Sequence, residues 1–110
     1  MNSSSPISNG VKASIVIRAY NAEKTLAPCV RSALAQNVGD EYEVVVVNDG
    51  SEDGTAQVIR EFSTDPRVRA VEQENQGLIG ASNAGFAAAR GDIVMLLDAD
   101  DEALPDMVSA

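Results

Sequence analysis

Val44-Val45-Val46-Val47-Asn48-Asp49-Gly50-Ser51-Glu52-Asp53-Gly54-Thr55 is the stretch on which the fold turns. Four consecutive β-branched residues without polar alternation suit a strand covered on both faces, and strands of that kind belong to parallel sheets. The polar run that follows carries glycines and helix-capping side chains, the chemistry of a tight loop. Thr55 then opens a segment in which Val58, Ile59 and Phe62 fall on one side, the spacing of a helix over 55–62. A strand that passes through a short loop into a helix is the first half of a βαβ crossover.

The same alternation extends outward in both directions. Strands are expected at Ala13 to Ile17, Glu43 to Asn48, Val68 to Glu72 and Asp92 to Leu97, with Ile93 to Leu97 read, like the valine run, as covered on both faces. Leu26, Cys29, Val30, Ala33 and Leu34 share one face of a first helix, with Thr25 as N-cap and Pro28 in the first turn, where its missing N–H is not needed. A third helix is expected from Leu78 to Arg90, ended by Gly91 at the C′ position. Right-handed crossovers between these elements give an α/β fold, a Rossmann-like open, mainly parallel sheet with helices on both faces. Met1 to Gly10 is rich in Ser and Asn and offers no face to bury, so residues 1–12 are expected to form a flexible leader and 13–110 the domain.

The composition bounds the function. Among 110 residues, 45% are hydrophobic and 23% charged, the profile of one globular domain rather than a disordered chain. Eight Lys and Arg against 17 Asp and Glu give a net charge of −9, which makes nucleic acid a poor partner. There is no His, so His-based relays and His metal sites are excluded. The lone Cys29 forms neither an internal disulfide nor a zinc cage, and reads as a small core residue. The apolar runs are too short to span a bilayer, and the N-terminus lacks the pattern of a signal peptide; a cytoplasmic location is expected.

In an open α/β sheet ligands bind beyond the carboxyl ends of the strands. Arg18, Ala19, Tyr20 and Asn21 follow the first strand, Asn48, Asp49 and Gly50 the second, Asn75 and Gly77 the third, and Asp98, Ala99, Asp100 and Asp101 the fourth. Three carboxylates held close together repel one another unless a cation neutralises them. Oxygen ligands without His or Cys suit Mg²⁺ or Mn²⁺, which leave coordination positions open for substrate phosphates. The plainer alternative is that these acids cap a helix beginning near Leu104. Asn75 to Gly85 is rich in small residues ahead of and inside a helix. It suits either a diphosphate at the helix N-terminus or close helix-on-sheet packing through Gly80, Ala84 and Gly85.

Taken together, Ser14 to Asn21, Val46 to Thr55, Glu74 to Gly77, Ala81 to Gly85 and Leu97 to Asp101 resemble, in order and spacing, the N-terminal half of glycosyltransferase family 2, inverting sugar transferases of GT-A fold. The resemblance covers about 13–107 and implies a nucleotide-diphosphosugar site in a truncated GT-A fold. It implies that Tyr20 and the first loop lie against the nucleotide, that Asp49 hydrogen-bonds the base, that Asp98 lies near the ribose, and that Asp100 holds the Mn²⁺ or Mg²⁺ on the diphosphate. Asn21, Gly50, Asn75, Gly77 and Asn83 complete the implied nucleotide set. Arg18-Ala19 stands where the family usually has Pro and a small residue, and brings charge toward a phosphate. Ser82 stands where Arg is common. The family continues into a half that carries the acceptor site, for a carbohydrate or lipid-linked hydroxyl, and the general base; nothing here takes that role, so this chain alone is expected to be inactive. A lipid-linked acceptor would place it peripherally at the cytoplasmic membrane face.

Two other classes compete. A receiver-type Mg²⁺ switch fits the size and sheet, but Arg18 to Asn21 holds no acid and the only lysines are Lys12 and Lys24. A non-catalytic nucleotide-binding module fits as well. The sheet is also expected to leave an apolar edge through which copies of the chain associate.

Overall fold

The computed structural model describes residues 11–36 and 41–108; the expected leader, apart from Val11 and Lys12, lies outside them. The chain alternates β1 (Ala13–Ala19), α1 (Leu26–Ala33), β2 (Tyr42–Asp49), α2 (Thr55–Phe62), β3 (Val68–Gln73), α3 (Gly77–Ala88) and β4 (Ile93–Asp98). All the strand pairings are parallel, in the order β3-β2-β1-β4.

Strand pleating divides the core into two layers. Ile15, Ile17, Val44 and Val46 point to one face, where Leu26, Cys29, Val30 and Ala33 of α1 and Ile59 of α2 cover them. Val16, Val45 and Val47 point to the other and meet Ala81 of α3. The valine run is buried from end to end because β2 lies under helices on both sides. Gly85 sets the height of α3 above the sheet: a methyl group there would overlap Val16 Cγ1, so the helix backbone approaches β1 closely.

Several boundaries differ from the sequence expectation. Strand pairing runs on to Ala19, Asp49, Gln73 and Asp98, so Arg18, Asn48, Asp49 and Asp98 are fixed in the ladder rather than carried on loops. β4 is an edge strand among the described residues, and it is not covered on both faces. Leu96, which shares the α3 face with Val16, is 40% exposed because α3 lies over β1 and β2 and stops short of β4; Ile93, which pairs with Ala13 on the opposite face, is 60% exposed at the start of the strand. An unalternated apolar run gives burial on two faces only when helices reach both. α3 ends at Ala88, with Ala89 already extended at φ −66° and ψ 136°. Gly91 is therefore no helix cap; a side chain there would meet the Ala13 carbonyl carbon at 2.6 Å, and its N–H donates to Ser14 Oγ (2.9 Å). Residues 105–108 form turns, closed by Met107 N–H to the Leu104 carbonyl, so no helix begins near Leu104 for the acids to cap. Of the small residues of α3 expected against the sheet, Gly80 instead faces its own helix at Gln76.

The chain runs from β1 outward to β2 and β3, then returns to the far side of β1 as β4. The loops therefore diverge at the carboxyl ends of β1 and β4, which is where an open sheet of this kind forms a crevice.

Candidate functional site

The polar run after β2 braces the loop after β1. Asn21 N–H donates to Ser51 Oγ (2.9 Å), Glu52 N–H to Asn21 Oδ1 (2.8 Å) and Ala22 N–H to Thr55 Oγ1 (2.8 Å). The Thr55 hydroxyl in turn donates to Asp53 Oδ1, and Glu23 N–H to Asp53 Oδ2 (3.3 Å). The Thr55 hydroxyl, with the backbone N–H groups around it, holds the Asp53 carboxyl below the usual aspartate range. Asn21 sits at φ 48°, a left-handed conformation that Asn tolerates better than most residues. Its side-chain oxygen is already spent on the neighbouring loop.

Asp49 is 3% exposed, and its carboxylate is largely committed within the protein. Oδ1 accepts from Gln73 Nε2 (2.8 Å) and Gln76 N–H (2.7 Å), and Oδ2 from Gly77 N–H (3.1 Å). A helix N-terminus presents free N–H groups and a positive dipole end; at α3 the anion that answers them is Asp49. The place where the small-residue run suggested a diphosphate is taken by the protein's own carboxylate. Gly50 makes that closure possible: it has φ +73°, and a Cβ there would lie 2.5 Å from Asn75 N. Asn75 Nδ2 completes the join by donating to the Asp49 carbonyl (3.1 Å).

Between these loops lies a cleft of about 380 Å³ lined by Arg18, Tyr20, Asp49, Asn75, Gly77 and Asp98, with Leu78 and Ala81 on the α3 side. A second hollow of about 390 Å³ shares Arg18, Tyr20 and Asp98 with it and continues to Asn21, Ala22, Thr25 and Asp100. Tyr20, half exposed, stands between the two. Arg18 ties three elements together, its Nη2 donating to Asp98 Oδ1 on β4 and its Nη1 to Ser82 Oγ on α3 (3.0 Å).

Asp98, Asp100 and Asp101 each place a carboxylate oxygen within 4.8 Å of the others. The three are exposed and offer only hard oxygen donors. That set fits Mg²⁺ or Mn²⁺, and the rim leaves room for further ligands from a substrate. Cys29 lies beneath, its Sγ donating to the Asp98 carbonyl (3.4 Å). Burial, reinforced by the charges of Asp101, Asp100 and Asp98, pushes its thiol up to about 12, so it stays protonated and takes no part as a soft ligand.

The structure thus gathers Tyr20, Asn21, Asp49, Asn75, Gly77, Asp98 and Asp100 around adjoining hollows, with Gly50 directly behind Asn75. Asn83 is not among them. It lies exposed on α3, more than a quarter-turn from Ser82 and Ala81, which face the sheet, and it does not line the cleft. The sequence reading did not select Leu78, Ala81 or Thr25, whose apolar or capping character gave no chemical signal. Asp101 belongs to the carboxylate group as much as Asp100 does.

The sequence profile described as Glycosyl transferase family 2 matches residues 14–110. The chain belongs to that family. This family 2 chain is 43% identical over 96 residues to chondroitin synthase of Escherichia coli, covering 86% of this chain and 14% of the synthase. Among solved structures, Staphylococcus aureus TarS 1-349 in complex with UDP superposes with a TM-score of 0.83 at 27% identity, covering 90% of this chain and 30% of TarS. The mannosyltransferase PcManGT of Pyrobaculum calidifontis, in complex with GDP-Man and Mn²⁺, superposes with a TM-score of 0.75 at 31% identity, covering 81% of this chain and 27% of that enzyme. The chain spans less than a third of the length of each of these proteins. The GT-A fold follows from these superpositions together with the parallel sheet.

Proposed function

We propose that this chain is the donor-binding part of an inverting glycosyltransferase that moves a sugar from a nucleotide-diphosphosugar to an acceptor hydroxyl. The observation that carries the reading is the gathering of Asp98, Asp100 and Asp101 on the same rim as the Tyr20 and Asp49 cleft. Membership of the family and the ligands held by TarS and PcManGT support it.

In this reading Tyr20 offers its ring to the base. An ionised carboxylate has about four acceptor sites, and Asp49 has committed three of them to the protein, which leaves one for a donor on the base edge. Asn75 and Gly77 line the same wall, and Asp98 stands toward the ribose. Asp100, with Asp101 and the neighbouring carboxylate of Asp98, holds the divalent cation, Mn²⁺ or Mg²⁺. When bound, the cation offsets the charge that grows on the departing nucleoside diphosphate. The acceptor hydroxyl attacks from the opposite face with the help of a general base. We assign that base and the carbohydrate or lipid-linked acceptor to the greater part of the relatives' length that this chain does not match. A cytoplasmic location, at the membrane face for a lipid-linked acceptor, belongs to the same proposal and rests on the unpaired Cys29.

Calorimetric titration with UDP, GDP and dTDP, each with Mn²⁺ and with chelator, tests the reading. Binding of at least one nucleotide that weakens when the cation is removed is expected. Binding indifferent to chelator overturns the cation's role, and no binding by any of the three overturns the donor-site reading.

A further inference from the structure

Arg18 is the cation shared by both hollows at the switch point, and its guanidinium is half used. Nε–H and Nη2–H form one edge of the planar fork, the edge that grips two oxygens of a carboxylate or phosphate side by side. Asp98 Oδ1 takes the Nη2 prong, while Nε is buried with no acceptor at all. A buried N–H without a partner is rare in folded proteins. The fork is therefore aligned by its neighbours but not filled by them. Ser82 Oγ fixes the remaining prong, Nη1, from α3 (3.0 Å), and the hydroxyl is itself anchored to the Leu78 carbonyl (2.9 Å).

Asp98 has a second allegiance. It is one of the three carboxylates that lie within 4.8 Å of one another, and its side chain is 47% exposed against 16% for Arg18. Without a cation, the nearest positive charge for Asp98 is Arg18. A divalent charge placed among the three carboxylates attracts Asp98 more strongly than a guanidinium does and repels the guanidinium itself.

We propose that Arg18 is a diphosphate-binding residue held in reserve by Asp98: Asp98 keeps its Nη2 while the three carboxylates carry no cation, and yields it, beside the unpartnered Nε, to an anion that arrives with one. This rests on the donor-site reading above. It makes cation and nucleotide binding positively coupled through one side chain, and by linkage each tightens the other by the same factor. It also explains how a chain of net charge −9 receives an anion, since the site shows positive charge only after its acids are neutralised.

The test uses Arg18→Met and Arg18→Lys beside the wild type, with folding checked by circular dichroism. Mn²⁺ alone is titrated by electron paramagnetic resonance of the free ion, and UDP is titrated at saturating Mn²⁺. Arg18→Met is expected to bind Mn²⁺ alone about 3-fold tighter, because Asp98 is released from a partly exposed pair. It is expected to bind UDP about 10-fold more weakly, the loss of one charge-assisted hydrogen bond or more. Opposite signs are the signature, since a purely structural role weakens both ligands together. Arg18→Lys keeps the charge without the fork, so it should bind Mn²⁺ as the wild type does and still lose most of the UDP affinity. If Arg18→Met fails to fold, the lysine variant decides: UDP affinity equal to wild type overturns the proposal. If the wild type binds UDP and Arg18→Met binds it equally well, Arg18 has no such role and the donor-site reading stands. If the wild type itself binds no nucleotide while the variant still gains Mn²⁺ affinity, the donor-site reading falls and the proposal with it.

Discussion

Replacing Asp49 by Ala removes the acceptor for Gln73 Nε2 and for the N–H groups of Gln76 and Gly77, and withdraws the anion from the N-terminus of α3. A hydrogen bond to a charged group contributes about 1.5–3 kcal/mol net, and a carboxylate at a helix start about 0.3–1 kcal/mol beyond that. Gln76 and Gly77 are exposed, so water takes over part of what Asp49 supplied, and the total is expected near 3 kcal/mol rather than the full sum. Against the 5–15 kcal/mol typical of a whole domain this is a large share. It corresponds to a drop in Tm of roughly 10–15 °C for a chain of this size. Asp49→Asn keeps an acceptor oxygen but turns an NH₂ toward one donor, and should cost about 1 kcal/mol. Urea denaturation of the three proteins at 25 °C, with equal slopes, gives the comparison. An alanine variant within about 0.5 kcal/mol of wild type, the range of an ordinary surface change, would show that the carboxylate does not hold α3 in place.

Other outcomes follow from the same contacts. Glu43, 1% exposed, accepts from Ser14 Oγ (2.6 Å), Arg69 Nη1 (2.9 Å), Arg90 N–H (2.7 Å) and Arg90 Nε (3.2 Å). Burial alone would raise its pKa, but those donors together hold it below the ordinary glutamate value. Its contribution is therefore fully present above the unfolded pKa of about 4.3 and is lost as pH falls through the lower folded value. Wild-type stability should decline in that acid window, and Glu43→Gln should flatten the decline; parallel curves for the two proteins would refute it. Gly85→Ala forces a methyl group onto Val16 Cγ1 and should cost about 1–3 kcal/mol by overpacking, read in the same urea titrations. Cys29 should resist alkylation at pH 8 in the native protein and react only on unfolding, because it is fully buried and burial pushes its thiol up to about 12; rapid labelling of folded chains would contradict that. Among the described residues β4 is an edge with Ile93 and Leu96 exposed, so sedimentation should show association rising with concentration, and Ile93→Lys should suppress it.

The sequence showed the alternation of strands and helices well, because Val44 to Val47 and the Leu26 to Ala33 face carry their periodicity openly. It could not show that β4 would lie at an edge of the sheet, beside β1. Ile93 to Leu97 is as apolar as the valine run, and their burial differs because β4 pairs with β1 alone among the described residues while β2 lies between two strands with helices over both faces. The rim residues were legible as a group because the strands end beside them. Their division of labour was not. Asn21 and Asp53 have the chemistry of ligand contacts, yet the structure spends them on holding one loop against another. Asp49 has the chemistry of a substrate acceptor, yet most of it is used at the start of α3. The pairing of Arg18 with both Asp98 and Ser82 joins positions 64 and 80 residues apart, a distance no local pattern can report.

Whether a nucleoside diphosphate and its cation meet at the carboxyl ends of β1 and β4 can be read from backbone amide resonances, with paramagnetic broadening by Mn²⁺ locating the cation and chemical shifts on adding UDP with Mg²⁺ locating the nucleotide. Broadening is expected to centre on Asp98 to Asp101 and extend to Arg18 and Tyr20, with UDP-dependent shifts in Mg²⁺ at Tyr20, Asn75 and Gly77 and none at Glu43, Arg69 or Arg90 at the opposite end of the sheet. Broadening centred at that opposite end, or spread evenly over the acidic surface, would contradict it.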